Sequence, residues 1–175
     1  MNRIFVKAVL DLVALPIMII SLIAGPNKNA VISIDQNAQT KRVDDQCVNN
    51  GLGSSVTIAV NIKNAELLSG FMVRLHYDNE ILKFVKAEKV LPGKNAVPFL
   101  ERNGGVPGPF LAIPVGKDDL DVTTAVKSAD GVDVKGDGTL AYVTFKRLTH
   151  QKCSIKVSKA ELSNHKLEID KIISE

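Results

Sequence analysis

The sequence predicts an all-β protein, an antiparallel β-sandwich, and three observations lead to that prediction. After residue 30, apolar and polar residues alternate with a period of two over several segments, as they do in half-buried strands. Turn-forming residues separate these segments at short intervals. No later segment shows helical periodicity over more than about two turns. We therefore expect roughly seven to nine short strands, enclosing a single core within about 150 residues.

A leader precedes this body at residues 1–25. Two basic residues occur among the first seven, and an uncharged, apolar run follows from Leu12 to Gly25. That run is short for a membrane-spanning helix of about 20 residues and suits the apolar region of a secretory signal. A cleaved signal peptide and an uncleaved anchor formed by residues 4–25 both stay open. Either would place the domain at residues 30–172 outside the cell, secreted or on the extracellular face of the membrane.

Regular alternation is strongest in three segments, which we predict to be strands. They are residues 55–63, 71–77 and 138–146. In the first, Val56 and Ile58 face one side of the strand while Thr57 faces the other. Asn64 is expected to begin a turn directly after it.

Weaker strand signals occupy the rest of the body. Residues 118–137 are expected to be mostly loop, and Pro114 restricts its segment to a sheet edge or a bulge. The weaker predicted strands are 82–90, a short one at 97–100, 110–115, 122–127, 154–157 and 167–169.

Composition argues against several classes of function. The 22 Lys and Arg against 19 Asp and Glu give a net charge of +3. That balance does not suggest a nucleic-acid-binding protein, in which basic charge concentrates on one face. Six Phe, two Tyr and no Trp leave few aromatic rings for stacking against sugars or bases.

The two cysteines, Cys47 and Cys153, match no metal-ligand spacing. No base and orienting group accompany either of them as a catalytic nucleophile. A disulfide between them would close a loop of roughly a hundred residues and contribute a few kcal/mol. Two free thiols are the alternative.

Metal sites and catalytic groups have no sequence signature. The aspartates between residues 118 and 137 lack the alternating order, with a later Glu, that a calcium loop requires. His76, His150 and His165 are far apart in the sequence, without metal-ligand spacing. No carboxylate pair stands out for glycosidase chemistry. The sequence therefore predicts a non-enzyme without a metal or cofactor.

Three stretches, 55–64, 69–84 and 136–146, share features with one known family. The middle stretch combines a glycine, an alternating strand, the pair Tyr77-Asp78 and a leucine shortly after it. The last has the order Gly-x-Gly-x-Leu-Ala in a strand that ends in Phe-Lys. Together the stretches resemble a cohesin domain, the receptor module that docks dockerins in cellulosomes and related surface assemblies.

This resemblance implies a nine-stranded jelly-roll sandwich whose partner is a dockerin-containing protein that itself requires calcium. It also implies a docking face that contains the strands at 70–76 and 139–146. Alternation then names the outward side chains, an apolar centre with a basic rim. They are Met72, Arg74, His76, Leu140, Tyr142, Thr144 and Lys146.

The chain also departs from the family pattern. Outward positions that tend to carry Asn and Asp in cohesins hold Gly70 and Met72 here, so partner specificity does not carry over. Two other functions stay open: a carbohydrate-binding module, with Tyr142, Phe99 and Phe110 as the candidate rings, and a structural or adhesive surface protein.

Overall fold

The computed structural model of the chain describes residues 25–35, 52–91, 93–127 and 131–172. Residues 1–24 of the predicted leader lie outside the described residues, as does Cys47. In the part of the chain that the structure describes, no helix has the length and apolar character needed to cross a membrane.

The predicted all-β sandwich is confirmed: the described residues form ten strands and one short 3₁₀ helix at Phe99–Glu101. The strands are β1 (Val31–Asp35), β2 (Ser55–Leu68), β3 (Gly70–Tyr77), β4 (Leu82–Glu88), β5 (Val106–Pro107), β6 (Leu111–Val115), β7 (Asp119–Lys127), β8 (Val134–Arg147), β9 (Ile155–Ser163) and β10 (Ile169–Ile172).

The strands form two sheets in which every pairing is antiparallel. A four-stranded sheet has the order β1-β2-β8-β4, and a six-stranded sheet has the order β10-β9-β3-β7-β5, with β6 also paired to β7. β5 and β6 pair with successive parts of the same strand, β7. β3 and β8 therefore belong to different sheets.

One apolar core fills the space between the two sheets. Phe145 of β8 is fully buried, and its ring lies 4.9 Å from Tyr77 of the six-stranded sheet and 6.2 Å from Phe84 of β4, between ring centroids. Val73 and Leu120 are also fully buried, on the six-stranded side. Each sheet thus commits alternate residues to the core and leaves the others for its outer face.

The predicted turn at Asn64 is wrong, because β2 continues to Leu68. Asn64 has a φ of 56°, and its N–H donates to the Asp137 carboxylate over 2.9 Å. The register with β8 shifts between Ile62 and Ala65. A bulge uses the same residue types as a turn, since asparagine tolerates the left-handed region, so local sequence does not separate the two.

The predicted strand at 97–100 is also wrong: Phe99 and Leu100 lie in the 3₁₀ helix, and both are buried. Phe99 packs on Gly138 of β8, where a Cβ atom would collide with the phenyl ring. Because Gly138 has no side chain, the ring can cover the strand. The apolar run is therefore a helical turn packed on the sandwich.

Alternation along β8 breaks at Leu140, which is 4% exposed and belongs to the core. Val60 of β2 pairs with Ala141, whereas the next residue, Asn61, pairs with Thr139. Leu140 is thus the extra residue of a β-bulge, and its side chain turns inward beside Ala141. The prediction that Leu140 faces outward is wrong, because a bulge resets the period-two pattern.

Substitutions in β8 should distinguish the two orientations. Leu140→Asp places a carboxylate in the core and should lower the free energy of unfolding by more than about 3 kcal/mol. Tyr142→Asp, two residues away on the outer side, should cost no more than about 1 kcal/mol. Denaturant unfolding of both variants measures this difference, and equal losses would contradict the bulge.

The segment before β1 is held by Asn27, which is fully buried. Its backbone N–H donates to the Asp170 carboxylate of β10 over 2.7 Å, and its side-chain amide donates to the Leu67 carbonyl of β2 over 2.8 Å. The Asn27 amide oxygen accepts from the N–H groups of Glu66 and Leu67. The backbone N–H and the side chain of Asn27 together link β10 of one sheet to β2 of the other at this edge.

Removing that side chain should destabilise the domain. Asn27→Ala leaves part-buried backbone groups of β2 without their partner and should cost about 2 kcal/mol in thermal or denaturant unfolding. Asn79→Ala is the matched control, because its side chain makes an exposed hydrogen bond to the Lys117 carbonyl. The control should lose less than about 1 kcal/mol, and a comparable loss in both variants would argue against this stabilising role of Asn27.

Cys153 precedes β9, is 1% exposed, and is not a free thiol. Because Cys47 lies outside the described residues, the pairing of the two cysteines stays a prediction.

Alkylation of the unfolded, non-reduced chain should add no label, and alkylation after reduction should add label at both cysteines. Cys47→Ser should cost a few kcal/mol of stability. Reducing the parent chain should cost the same amount, and labelling of the non-reduced chain would refute the bridge.

Candidate functional site

The outer face of the six-stranded sheet carries the three predicted site residues of β3. Met72, Arg74 and His76 point away from the core, while the residues between them are buried. We call this surface, formed by the outward side chains of β3, β6, β7, β9 and β10, the six-stranded face. Whether it binds a partner stays a prediction.

An ion pair and a histidine–carboxylate hydrogen bond order the centre of this face. The Arg74 guanidinium donates to both carboxylate oxygens of Asp121 on β7, over 2.7 and 2.8 Å. That hydrogen-bonded contact is the main cause that raises the pKa of Arg74 above its ordinary value. His76 Nδ1 lies 2.9 Å from the Asp119 carboxylate, directly across from it in the register. A bidentate pair fixes the plane of the guanidinium, so this part of the surface is set before any partner arrives.

Apolar side chains lie on both sides of these pairs. Leu111 and Ile113 of β6 are 45% and 48% exposed, and Ile113 is the cross-strand neighbour of Asp121. On the other side, Ile169 of β10 is 59% exposed. Met72 lies between these two apolar edges on β3. The six-stranded face therefore has apolar residues around a charged, ordered centre.

A shallow groove of about 160 Å³ crosses the face beside Gly70. Met72 and Ile169 line it, together with Ala125 and Ser163 from the flanking strands. A side chain at position 70 would collide with Ser163 and press on Ala125, at 2.6 and 3.0 Å from a Cβ atom. Gly70, which departs from the family pattern, therefore leaves the groove open between Ala125 and Ser163 of the flanking strands.

The four predicted residues of β8 do not join this face, which corrects the predicted site. β8 lies in the four-stranded sheet, so Tyr142 and Lys146 point outward on the opposite side of the sandwich. Leu140 is in the core, and Thr144 is 8% exposed, with its hydroxyl 3.0 Å from that of Thr57. Alternation states which side of its own strand a residue occupies, but not which sheet the strand joins.

The residues that sequence analysis missed come from β6 and β7. Asp119, Asp121 and Ile113 belong to the six-stranded face only because their strands pair beside β3. Residues 118–137 were expected to be mostly loop, and β7 instead runs from Asp119 to Lys127. Leu120 and Val122, two residues apart, are fully buried. Their alternation with polar residues is the sequence feature that could have predicted this strand.

The aspartates of this region act as structural partners. Asp118 accepts a hydrogen bond from the Asn79 N–H, and Asp133 is paired with His165. Asp130 lies outside the described residues. No group of three or more His, Cys, Asp or Glu side chains that could hold a metal ion occurs within the described ranges.

The candidate rings for sugar stacking are dispersed. Phe99 is 3% exposed, Phe110 is partly buried against the core, and Tyr142 is half-buried on the four-stranded side. Among the described residues, these three rings do not provide the exposed planar row that stacking against a glycan chain requires.

No protein-family model and no curated protein matches the chain. Several solved structures do. The sixth cohesin of scaffoldin B from Acetivibrio cellulolyticus, solved in complex with a mutant Cel5 dockerin, has a TM-score of 0.57 at 15% identity, over 83% of this chain and 92% of that one.

Two further solved cohesin structures are also similar to this chain. A type II cohesin domain from the cellulosome of Acetivibrio cellulolyticus has a TM-score of 0.55 at 22% identity, over 82% of this chain and 86% of that one. A cohesin module from a family 33 glycoside hydrolase of Clostridium perfringens has a TM-score of 0.53 at 8% identity, over 82% of this chain and 88% of that one. The resemblance predicted from the sequence is confirmed at the level of structure: the chain has the fold of a cohesin domain.

Proposed function

We propose that this chain is a non-catalytic docking module that binds a dockerin-bearing partner through its six-stranded face. The observation that carries the proposal is the combination, on one side of a cohesin-type sandwich, of exposed Leu111, Ile113 and Ile169 with the ordered Arg74–Asp121 pair. Among similar structures, the cohesin of scaffoldin B was solved together with a dockerin.

The chemistry of the face suits a protein partner. Interfaces bury an apolar centre within a polar border, and a few anchors carry most of the binding free energy. Ile113 offers such an anchor, because it is large, apolar and 48% exposed, and it lies beside an ordered ion pair. Since Asp121 already pairs with Arg74, a partner can cover both groups without leaving either charge unpaired.

Charge is distributed unevenly across the face. On β9, Lys156 is exposed and Lys159 pairs with Glu161 over 3.0 Å, whereas Asp119 and Asp121 lie on β7, with β3 between the two strands. A partner with acidic groups over β9 and basic groups over β7 would dock in one orientation, because the reversed orientation places like charges together.

The proposed setting is outside the cell, secreted or on the extracellular face of the membrane, where the module helps to assemble enzymes that act on polysaccharide. The partner dockerin requires calcium, and this chain does not. The carbohydrate-binding alternative gains no support from its three candidate rings. The structural or adhesive alternative would use the same fold without any dockerin.

Substitution of the proposed anchor should abolish docking. Dockerin modules from exported proteins of the same genome, produced singly, are titrated into the chain by calorimetry with calcium present. Ile113→Asp should weaken binding at least about 30-fold, because an introduced carboxylate is desolvated beside Asp121. Tyr142→Ala and Lys146→Ala, on the opposite side of the sandwich, are the matched controls and should bind like the parent.

Chelation of calcium should also abolish binding and leave the unfolding temperature of this chain unchanged. Failure of every dockerin to bind would refute the docking function. Binding that survives Ile113→Asp and fails in Tyr142→Ala would instead keep the function and move it to the four-stranded sheet.

A further inference from the structure

A cleft of about 310 Å³ lies on the four-stranded side, where the chain after β4 passes beside β8. Its walls come from residues 89–91, Lys94, residues 96–99 and Arg102, and from Thr139 and Tyr142 of β8. That volume is within the usual range for sites that bind small ligands or single side chains, about 300–1,000 Å³. None of these residues belongs to the six-stranded face, so the cleft is separate from the proposed docking surface.

The cleft carries more positive than negative charge. Lys89 donates to Glu101 over 2.5 Å, and the nearby Glu88 is paired with Lys86 at 2.8 Å. Both of these carboxylates are therefore already bound to lysines. Lys94 and Arg102 also line the cleft, and no carboxylate among the described residues lies within ion-pair distance of either.

Arg102 is positioned by a ring. Its guanidinium carbon lies 4.8 Å from the centroid of the Phe99 ring, which is itself packed on Gly138. A cation–π contact of this kind restrains the guanidinium, whose N–H groups can still bind a carboxylate. The side chain thus loses little freedom when it binds an anion.

The remaining wall of the cleft is apolar. Val97 is 62% exposed, and Leu91, Ala96 and Pro98 line the cleft beside it. A ligand that contacts only the two cations would leave this wall in water. The cleft therefore suits a ligand with a carboxylate and an apolar group a few ångströms apart. A sugar fits the cleft less well, because Phe99 is buried and only the Tyr142 ring among the lining residues is available for stacking.

We propose that this cleft binds a short acidic peptide segment of a partner protein. Side-chain carboxylates of the peptide bind Lys94 and Arg102, and an adjacent apolar side chain packs on Val97 and Leu91. The proposal does not depend on docking at the six-stranded face.

Two matched peptides test it without any change to the protein. A fluorescein-labelled peptide Glu-Leu-Glu-Leu and its neutral counterpart Gln-Leu-Gln-Leu are titrated with the full chain, and binding is followed by fluorescence anisotropy. The acidic peptide should bind at least tenfold more tightly, and its affinity should fall as salt is added. Equal affinity for the two peptides would overturn the proposal.

Variants locate the site. Lys94→Gln and Arg102→Gln should each weaken binding of the acidic peptide about tenfold, as expected for loss of a charge-assisted contact. Lys127→Gln, at the end of β7, is the matched control, and Ile113→Asp controls for the six-stranded face; both should bind like the parent. Unchanged binding in the first two variants would overturn the proposal. Displacement of the peptide by tri-galacturonate at lower concentrations than unlabelled peptide would also overturn it, in favour of an acidic sugar.

Discussion

The packing of the two sheets through Phe145 constrains the rest of the domain. This ring belongs to the four-stranded sheet, and it contacts Tyr77 of the other sheet as well as Phe84 of a neighbouring strand. To keep such rings out of water, each strand must direct alternate residues inward. The outward residues are then fixed by the same choice, so the core decides which side chains are available to a partner.

Because the sandwich has two outer sides, it separates two kinds of recognition. The six-stranded face is broad and holds its charges in pairs such as Arg74–Asp121. The cleft beside Tyr142 is small and leaves Lys94 and Arg102 without carboxylate partners among the described residues. A surface of the first kind suits a large partner, and a concave site of the second kind suits a short segment. The six-stranded face and the cleft lie on opposite sides of the core, so a partner on one does not cover the other.

Bulges are where the core overrides the local pattern. At Asn64 the chain takes a left-handed conformation and β2 continues, and at Leu140 an extra residue turns a side chain inward. Arg147, at the end of β8, is 2% exposed, and its guanidinium donates to the Thr149 and Gln151 carbonyls. The two bulges and the buried Arg147 each satisfy backbone groups or fill the core. The residues that they contact are distant in the sequence or lie in the next turn, so the local pattern does not predict them.

The sequence by itself determined the all-β class, the resemblance to a cohesin domain, most strand positions and the outward direction of Met72, Arg74 and His76. These follow from period-two alternation, which is local. Only the tertiary structure decided that β3 and β8 lie in different sheets, that Asp121 stands beside Arg74, and that the chain after β4 forms a cleft. The choice of strand partner depends on contacts between residues far apart in the chain, and alternation within one strand carries no information about them.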